Sequence, residues 1–369
     1  MASESESDSQ PSAESNLTLW QKLRVLFSLI PLPVAVFWNV LTTAYAPHNK
    51  DRPLRRIIGD ATLRYVAGLD ITPAQVQALF PTDAKMYRAW TKQTRLPHTV
   101  DELGDGARLN WIGEKSIEKV VLFLHGGAFV LPATDYSLFF WRYVQVALDK
   151  KDIQVGFVWL EYTLTPQAVF PSQLAQARLA LNFLLESGVQ PSNLQIVGDS
   201  AGANLILQVL SQVLHPLPTV PHIPLPSPIR GALLISPWVS LTASSPSNFT
   251  NDGKDYLPRQ TTLVMGTLTL THVPAAQRVF AEAVRAPADW FSGAERVFER
   301  VLITAGSAEL LWDDIMAFAE AFKKQHRRAE LVVQPNGLHE DMFLDFMVGA
   351  KPGVLTPAIV EWLAAGFSS

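Results

Sequence analysis

From about residue 118 onward, the chain alternates short runs of Val, Ile, Leu and Phe with longer segments whose apolar positions recur every three or four residues. The short runs are 119–124 (KVVLFL), 153–160 (IQVGFVWL), 194–197 (LQIV), 232–235 (ALLI), 301–304 (VLIT) and 330–333 (ELVV). Their length and β-branched content predict strands. In 172–186, Leu174, Ala177, Leu181 and Leu184 fall on one face of a helix. Segments 203–214, 311–326 and 355–365 are expected to be helical as well. Strands that alternate with helices predict an α/β protein with a mostly parallel central sheet, its two faces covered by helices. Two stretches break the rhythm. Residues 215–228 hold six prolines and predict a loop with extended character. Residues 256–298 intervene between two strands and are expected to add helices to a cap over the sheet.

The N-terminal part has a different pattern. Residues 1–15 are serine-rich and acidic, with little to bury, and predict a disordered tail. From Val25 to Pro47 no residue is charged. The run 25–45, taken as one helix, would reach about 30 Å, enough for a hydrocarbon core. Trp20, Trp38 and Tyr45 are suited to a membrane interface, while Pro31, Pro33 and Asn39 interrupt a spanning helix. Two readings follow: attachment to a membrane through residues 25–45, or a lid over the protein's own pocket. The acidic start and the lack of a small-residue cleavage site argue against a signal peptide. For a spanning segment, Lys22 and Arg24 precede it while Lys50, Arg52, Arg55, Arg56 and Arg64 follow it. That asymmetry places the remainder of the chain in the cytosol, on the endoplasmic reticulum membrane. The lid reading corresponds to a soluble cytoplasmic protein. Asn16 and Asn248 open glycosylation sequons, a pattern common by chance. The expected division is a tail (1–15), an apolar segment and cap (16–110), and a catalytic domain (111–369).

Composition narrows the options. Apolar residues make up 48% of 369, enough for a large core, and the formal charge of −4 is small. No basic stripe with interleaved aromatics exists, so nucleic acid is not an expected partner. The absence of cysteine removes disulfides, thiolate metal sites and a cysteine nucleophile. No His/Asp cluster has metal-ligand spacing, and no P-loop or dinucleotide fingerprint occurs, so neither metal nor cofactor is expected.

Chemistry concentrates in three places. Gly198-Asp199-Ser200-Ala201-Gly202 lies directly between strand 194–197 and helix 203–214. A sharp strand-to-helix turn there would hold the Ser200 hydroxyl exposed in a strained conformation, as a nucleophile requires. Glycines two residues either side allow the strand and helix backbones to approach. The second place is His125-Gly126-Gly127-Ala128-Phe129, at the end of strand 119–124. Backbone N–H groups of Gly126 and Gly127, with that of Ala201, could bind the oxyanion of a tetrahedral intermediate. His125 itself is expected to order the loop. The third is the C-terminal region. Of eight histidines, only His326 and His339 lie beyond the last strand that could carry the acid. His326 stands among charges at a helix end and predicts a solvated position. His339 follows strand 330–333 through Asn336-Gly337-Leu338 and is the candidate base. Glu309, at a strand end, is favoured as its acid over Asp313 and Asp314, which open a helix and suit its N-terminal dipole.

The ordered set HGGAF, EYTLTP with Phe170-Pro171, GDSAG, ISPW, GSAELLWDD and GLH resembles the hormone-sensitive-lipase branch of the α/β hydrolases. Fungal and yeast-type esterases, steryl acetate deacetylases among them, are closest in flavour. The resemblance covers about residues 115–345. It implies an α/β-hydrolase fold, an HGG oxyanion hole, the GDSAG serine as nucleophile and an N-terminal helical cap. The acid slot holds Glu309 where an aspartate followed by proline is more usual. Two further positions depart: Thr163 stands where an arginine commonly braces the sheet edge, and Ser240 where an acidic residue is common. The expected activity is hydrolysis of a hydrophobic ester through an acyl-enzyme. Trp290, Phe291 and Phe298 are candidate cap aromatics that either favour such an ester or merely pack the cap. Acyl transfer to an alcohol or lactone closure uses the same residues, and a non-catalytic receptor is the reading from another class.

Overall fold

The computed structural model describes residues 17–368, so the expected tail and the Asn16 sequon lie outside it. Five helices come first: α1 (Leu19–Leu29), α2 (Leu32–Thr43), α3 (Leu54–Ala67), α4 (Pro73–Gln77) and α5 (Asp83–Thr94). Pro31 ends α1 and Pro33 falls in the first turn of α2, where a missing N–H costs nothing. Together, Leu19–Thr43 is long and apolar enough to cross a membrane by length and composition, and of its residues only Val25 is buried. It does not cover the pocket described below, whose lining begins at Leu63. Instead α2 packs on α3 and leaves Phe37, Trp38 and Leu41 exposed.

The sheet is built from β1 (Val100–Gly104), β2 (Ala107–Ile112), β3 (Val120–Leu124), β4 (Gly156–Glu161), β5 (Leu194–Asp199), β6 (Gly231–Ile235), β7 (Val301–Gly306) and β8 (Ala329–Gln334). Their spatial order is β1-β2-β4-β3-β5-β6-β7-β8. All pairs from β4 through β8 are parallel, while β1–β2 and β2–β4 are antiparallel. The six expected strands are β3 to β8. The β1–β2 hairpin lay hidden because β1 is polar (VDELG) and half exposed. Its sequence signal is Asp105-Gly106, a two-residue turn with φ of 50° and 76° that suits a hairpin. The sheet therefore begins at Val100, and the boundary expected between 110 and 111 falls inside β2.

The remaining helices are α6 (Asp135–Asp149), α7 (Ser172–Glu186), α8 (Ala201–Leu214), α9 (Ser247–Thr250), α10 (Arg259–Thr271), α11 (Arg278–Ala281), α12 (Trp312–Lys323), α13 (Asp341–Met347) and α14 (Leu355–Phe367). Period-2 strands divide their side chains between two cores. Leu122 and Leu124 of β3 join α7, α8 and α12 on one face. Val121 and Phe123 join α5, α6 and α14 on the other.

The surroundings of several singled-out residues decide between readings, and the solvated position expected for His326 does not hold. Asn248 is fully buried and donates to Leu310 O at 2.8 Å, so its sequon cannot be reached by a glycan. His326 is also buried, tucked under the end of α12 with Nε2 at 2.8 Å from Phe298 O. The aromatics Trp290, Phe291 and Phe298 pack against α8, α12 and the core rather than lining the pocket. Trp290 stacks on His215 at 3.8 Å, and Phe291 meets Phe318 and Phe322 edge-on.

Candidate active site

Parallel strands present their C-terminal ends along one edge, and the expected chemistry collects there. Ser200 caps α8 with φ 47° and ψ −111°, a conformation strained for any residue with a Cβ. Its N–H donates to Ile235 O at the end of β6, and its carbonyl accepts from Trp238 N, which pins the turn. A Cβ added to Gly202 would lie 1.9 Å from Leu124 O, so this contact between α8 and β3 admits only glycine.

His339 is buried at the same edge. Its Nδ1 lies 2.8 Å from Glu309 Oε2. Glu309, fully buried just past β7, also accepts from Gly306 N–H at 2.7 Å and Ser236 Oγ at 3.3 Å. Asp313 accepts instead from Ser247 N and Asp314 from Ser245 Oγ, both facing away from the imidazole. Ser200 and His339 line one cavity, Glu309 supporting the latter from behind. Burial lowers the basicity of His339, but Glu340, Glu309 and Asp255 outweigh it and raise its pKa to about 9.

Two acids went unnoticed in the sequence. Asp255, ahead of α10, accepts from His339 N–H at 3.3 Å and Leu310 N–H at 2.6 Å, and burial raises it to about 6. Glu340 follows His339 directly, with Oε1 at 3.5 Å from its Nε2. No local pattern distinguishes either from a surface carboxylate; only the fold brings them to the imidazole.

The glycine turn departs in one respect from expectation. Gly126 N–H is already engaged, donating to Asp199 Oδ2 at 3.0 Å. The N–H groups of Gly127, Ala128 and Ala201 donate to no protein acceptor among the described residues. Gly127 and Ala128 have φ of 97° and 56°, which turns their peptides out of the strand. His125 stacks face-to-face on Tyr162 at 4.2 Å, and burial lowers its pKa to about 4, so it remains a neutral brace. Where Thr163 replaces an arginine, Gln176 bonds both the Thr163 N–H and its hydroxyl at 2.8 Å. Ser240 is buried and lies 3.4 Å from the Thr242 hydroxyl.

The His339 loop is fastened to the N-terminal helices by a buried ion cluster. Arg56 of α3 reaches Asp60 at 2.7 Å, Asp341 at 2.8 Å and Asp345 at 2.6 Å. Arg52 adds Asp341 at 2.5 Å and Asn336 O at 3.0 Å. Burial disfavours the Asp341 charge, but the two guanidinium groups overcome this and hold it below the usual carboxylate range. Its Oδ1 accepts from Leu338 N–H at 3.0 Å, next to the base.

Above Ser200 lies a cavity of about 540 Å³. Its walls are mainly apolar, with Leu63 and Val66 from α3, Leu69 and Phe80 from the connections after α3 and α4, and Leu257 and Met265 from the insertion. Among the described residues no group of three or more His, Asp or Glu is arranged to hold a metal ion.

Residues 121–343 match the family defined by the α/β hydrolase fold. The chain belongs to the α/β-hydrolase family. An acetyl-hydrolase of Streptomyces hygroscopicus is 29% identical over 206 residues, which are 56% of this chain and 62% of that protein. An esterase of Acinetobacter venetianus is 30% identical over 210 residues, with the same two shares. The chain thus spans 62% of the length of these two curated relatives. A putative steryl acetyl hydrolase of Schizosaccharomyces pombe is 23% identical over 365 residues, 90% of this chain and 93% of that protein. The crystal structure of an esterase from the bacterial hormone-sensitive lipase family superposes with a TM-score of 0.66 at 21% identity. It covers 86% of this chain and 99% of that one, and establishes the fold. These likenesses agree with the branch that the motifs resemble.

Proposed function

We propose that the protein is a serine esterase that cleaves a carboxylic ester of an apolar substrate through an acyl-enzyme. The observation that carries this reading is the Glu309–His339 contact of 2.8 Å beside a strained Ser200 at the floor of one apolar cavity. Ser200 Oγ bonds to the ester carbonyl carbon while its proton passes to His339 Nε2. Glu309 orients the ring through Nδ1 and stabilises the imidazolium. The N–H groups of Gly127 and Ala201 bind the oxyanion. Ala128 replaces Gly126 as the third donor, because Asp199 holds the Gly126 N–H. The proton then moves to the leaving alcohol as the ester C–O bond breaks, and water releases the acid by the reverse sequence.

The wall of Leu63, Val66, Leu69, Phe80, Leu257 and Met265 favours a hydrophobic ester. The names of relatives, a putative steryl acetyl hydrolase and a neutral cholesterol ester hydrolase, are in keeping with a sterol or another lipophilic alcohol carrying an acyl group. Fluorophosphonate labelling of wild type and Ser200→Ala tests the nucleophile: wild type labels and turns over, the variant does neither. A variant that kept wild-type activity with p-nitrophenyl esters would refute the assignment.

The exposed Trp20, Phe27, Phe37 and Trp38 on α1 and α2 support attachment to a membrane, with the catalytic part on the cytosolic side. Alkaline carbonate extraction checks this: the full chain should stay with the membrane pellet, and complete release to the supernatant would contradict it.

A further inference from the structure

The imidazole of His339 is flanked by carboxyl groups on both nitrogens. Glu309 occupies the Nδ1 side at 2.8 Å. On the Nε2 side, where the proton of Ser200 must arrive, Glu340 Oε1 stands at 3.5 Å. The geometry there is built rather than incidental. Glu340 has φ 49° and ψ 38°, a left-handed conformation uncommon outside glycine and asparagine, immediately after the base. Its N–H donates to Ser236 Oγ at 3.2 Å, and its Oε2 accepts from Tyr256 OH at 3.4 Å. Its carboxyl group is set against that of Asp199, the residue before the nucleophile, both facing Gly126. Asp199 in turn accepts from Gly126 N–H. A Cβ at Gly126 would lie 2.2 Å from Asp199 Oδ2 and 2.9 Å from Glu340 Oε1, so the glycine makes room for the pair. Two carboxyl groups in contact cannot both ionise in a buried site, so they share a proton.

We propose that Glu340 is a positioning residue for the ester cleavage: with Asp199 it holds His339 Nε2 and sets the pH at which that nitrogen is free to take the Ser200 proton. The inference rests on the reading of Ser200 and His339 as nucleophile and base. While Nε2 carries a proton and faces a Glu340 carboxylate, it cannot accept another, and attack by Ser200 waits. The other ionisable groups near the imidazole are Glu309 past β7, Asp255 and Tyr256 ahead of α10, Asp199 on β5 and Tyr136 on α6. Glu340, Glu309 and Asp255 all favour the protonated imidazole, and of the three only Glu340 stands on the Nε2 side. Asp199 acts in the opposite sense. By pushing Glu340 well above its usual carboxylate range, in addition to burial, it keeps the Glu340 charge low.

Opposite shifts in the acid limb of the pH–rate profile are therefore expected from two isosteric variants. Glu340→Gln removes the charge beside Nε2 and moves the midpoint down by about 1 pH unit or more. Asp199→Asn lets Glu340 ionise at lower pH and moves the midpoint up. A residue that only packed the site would lower the plateau and leave both midpoints in place. The readout is the rate of fluorophosphonate labelling of the full-length protein in detergent from pH 5 to 10, with kcat/KM for a p-nitrophenyl ester alongside. Coincident midpoints in wild type and Glu340→Gln, or an upward shift in Glu340→Gln, overturn the proposal. If Glu340→Gln does not fold, Asp199→Asn alone decides by the sign of its shift. If neither variant folds, Glu340→Asp takes their place: drawing the carboxylate back from Nε2 moves the midpoint down, and a midpoint equal to that of wild type overturns the proposal. Wild type that never labels at any pH removes the serine-esterase reading itself, whereas labelling with an unmoved Glu340→Gln limb removes only the role of Glu340.

Discussion

Glu309 and Asp313 stand four positions apart in one segment, and both carboxylates were candidates for the same task. The difference between them is direction: Glu309 points from the end of β7 to His339 Nδ1, Asp313 from the start of α12 to Ser247 N. An amide at 309 would keep the hydrogen-bonding shape but not the charge that stabilises an imidazolium. Glu309→Gln is expected to lower kcat on the order of 10³–10⁴-fold, while Asp313→Asn leaves it within a few-fold. Steady-state kinetics on both variants check this, and equal losses would return the acid to open question. The same residue-scale reasoning separates Gly126 from Ala128, since an N–H already bonded to Asp199 is not available to an oxyanion. Spacing within HGGAF could not reveal this, because the partner of Gly126 lies on another strand.

Among the elements, α3 and the loop that carries His339 are the pair whose contact matters most to the site. Arg56 is buried and makes two ion pairs across that contact, to Asp341 and Asp345, besides one to Asp60 on its own helix, so removing its charge would leave Asp345 unpaired and Asp60 and Asp341 to Arg52 alone. Breaking a buried pair from one side typically costs about 3–5 kcal/mol. Arg56→Met is expected to lower the urea midpoint accordingly and to reduce kcat in the fraction that remains folded, because Asp341 anchors Leu338 next to the base. A midpoint equal to wild type would show the cluster to be energetically idle. Because α2 packs on α3 and α3 on α13, the exposed apolar helix α2 is linked through packed elements to the His339 loop. Nothing in the charge pattern of residues 50–64 foretold this; as a sequence it reads as a basic flank to an apolar run.

For the molecule as a whole, the site sets stability and activity against each other in pH. His339 is raised to about 9 in the folded protein, above its ordinary 6.5, so its contribution is complete below 6.5 and is lost as pH rises through 9. Glu340 is likewise protonated in the folded state well above its usual range, and its ionisation acts in the same direction. Each pKa unit corresponds to at most about 1.4 kcal/mol. Thermal unfolding should therefore show Tm falling between pH 6.5 and 9, while activity, which needs an unprotonated Nε2, climbs over the same interval. Replacing His339 by asparagine should flatten that fall; an equally steep decline in the variant would place its origin elsewhere.

Much of this was written in the chain. Runs of β-branched residues at the right spacing specify β3 to β7, since a strand buried on both faces must be apolar throughout, and the run at the sheet edge specifies β8. Gly-Asp-Ser-Ala-Gly between a strand and a helix determines its turn, because only small residues permit the crossing against β3. What long-range packing alone decided has a common physical character: a polar or charged group whose partner is distant in sequence. Glu340 meets Asp199, Asp255 meets His339, Arg56 meets Asp341, and His326 meets Phe298 O. Hydrophobic periodicity records which face of an element is buried. It carries no record of which buried acids will share a proton, and that is fixed only when the strand ends are brought to one edge.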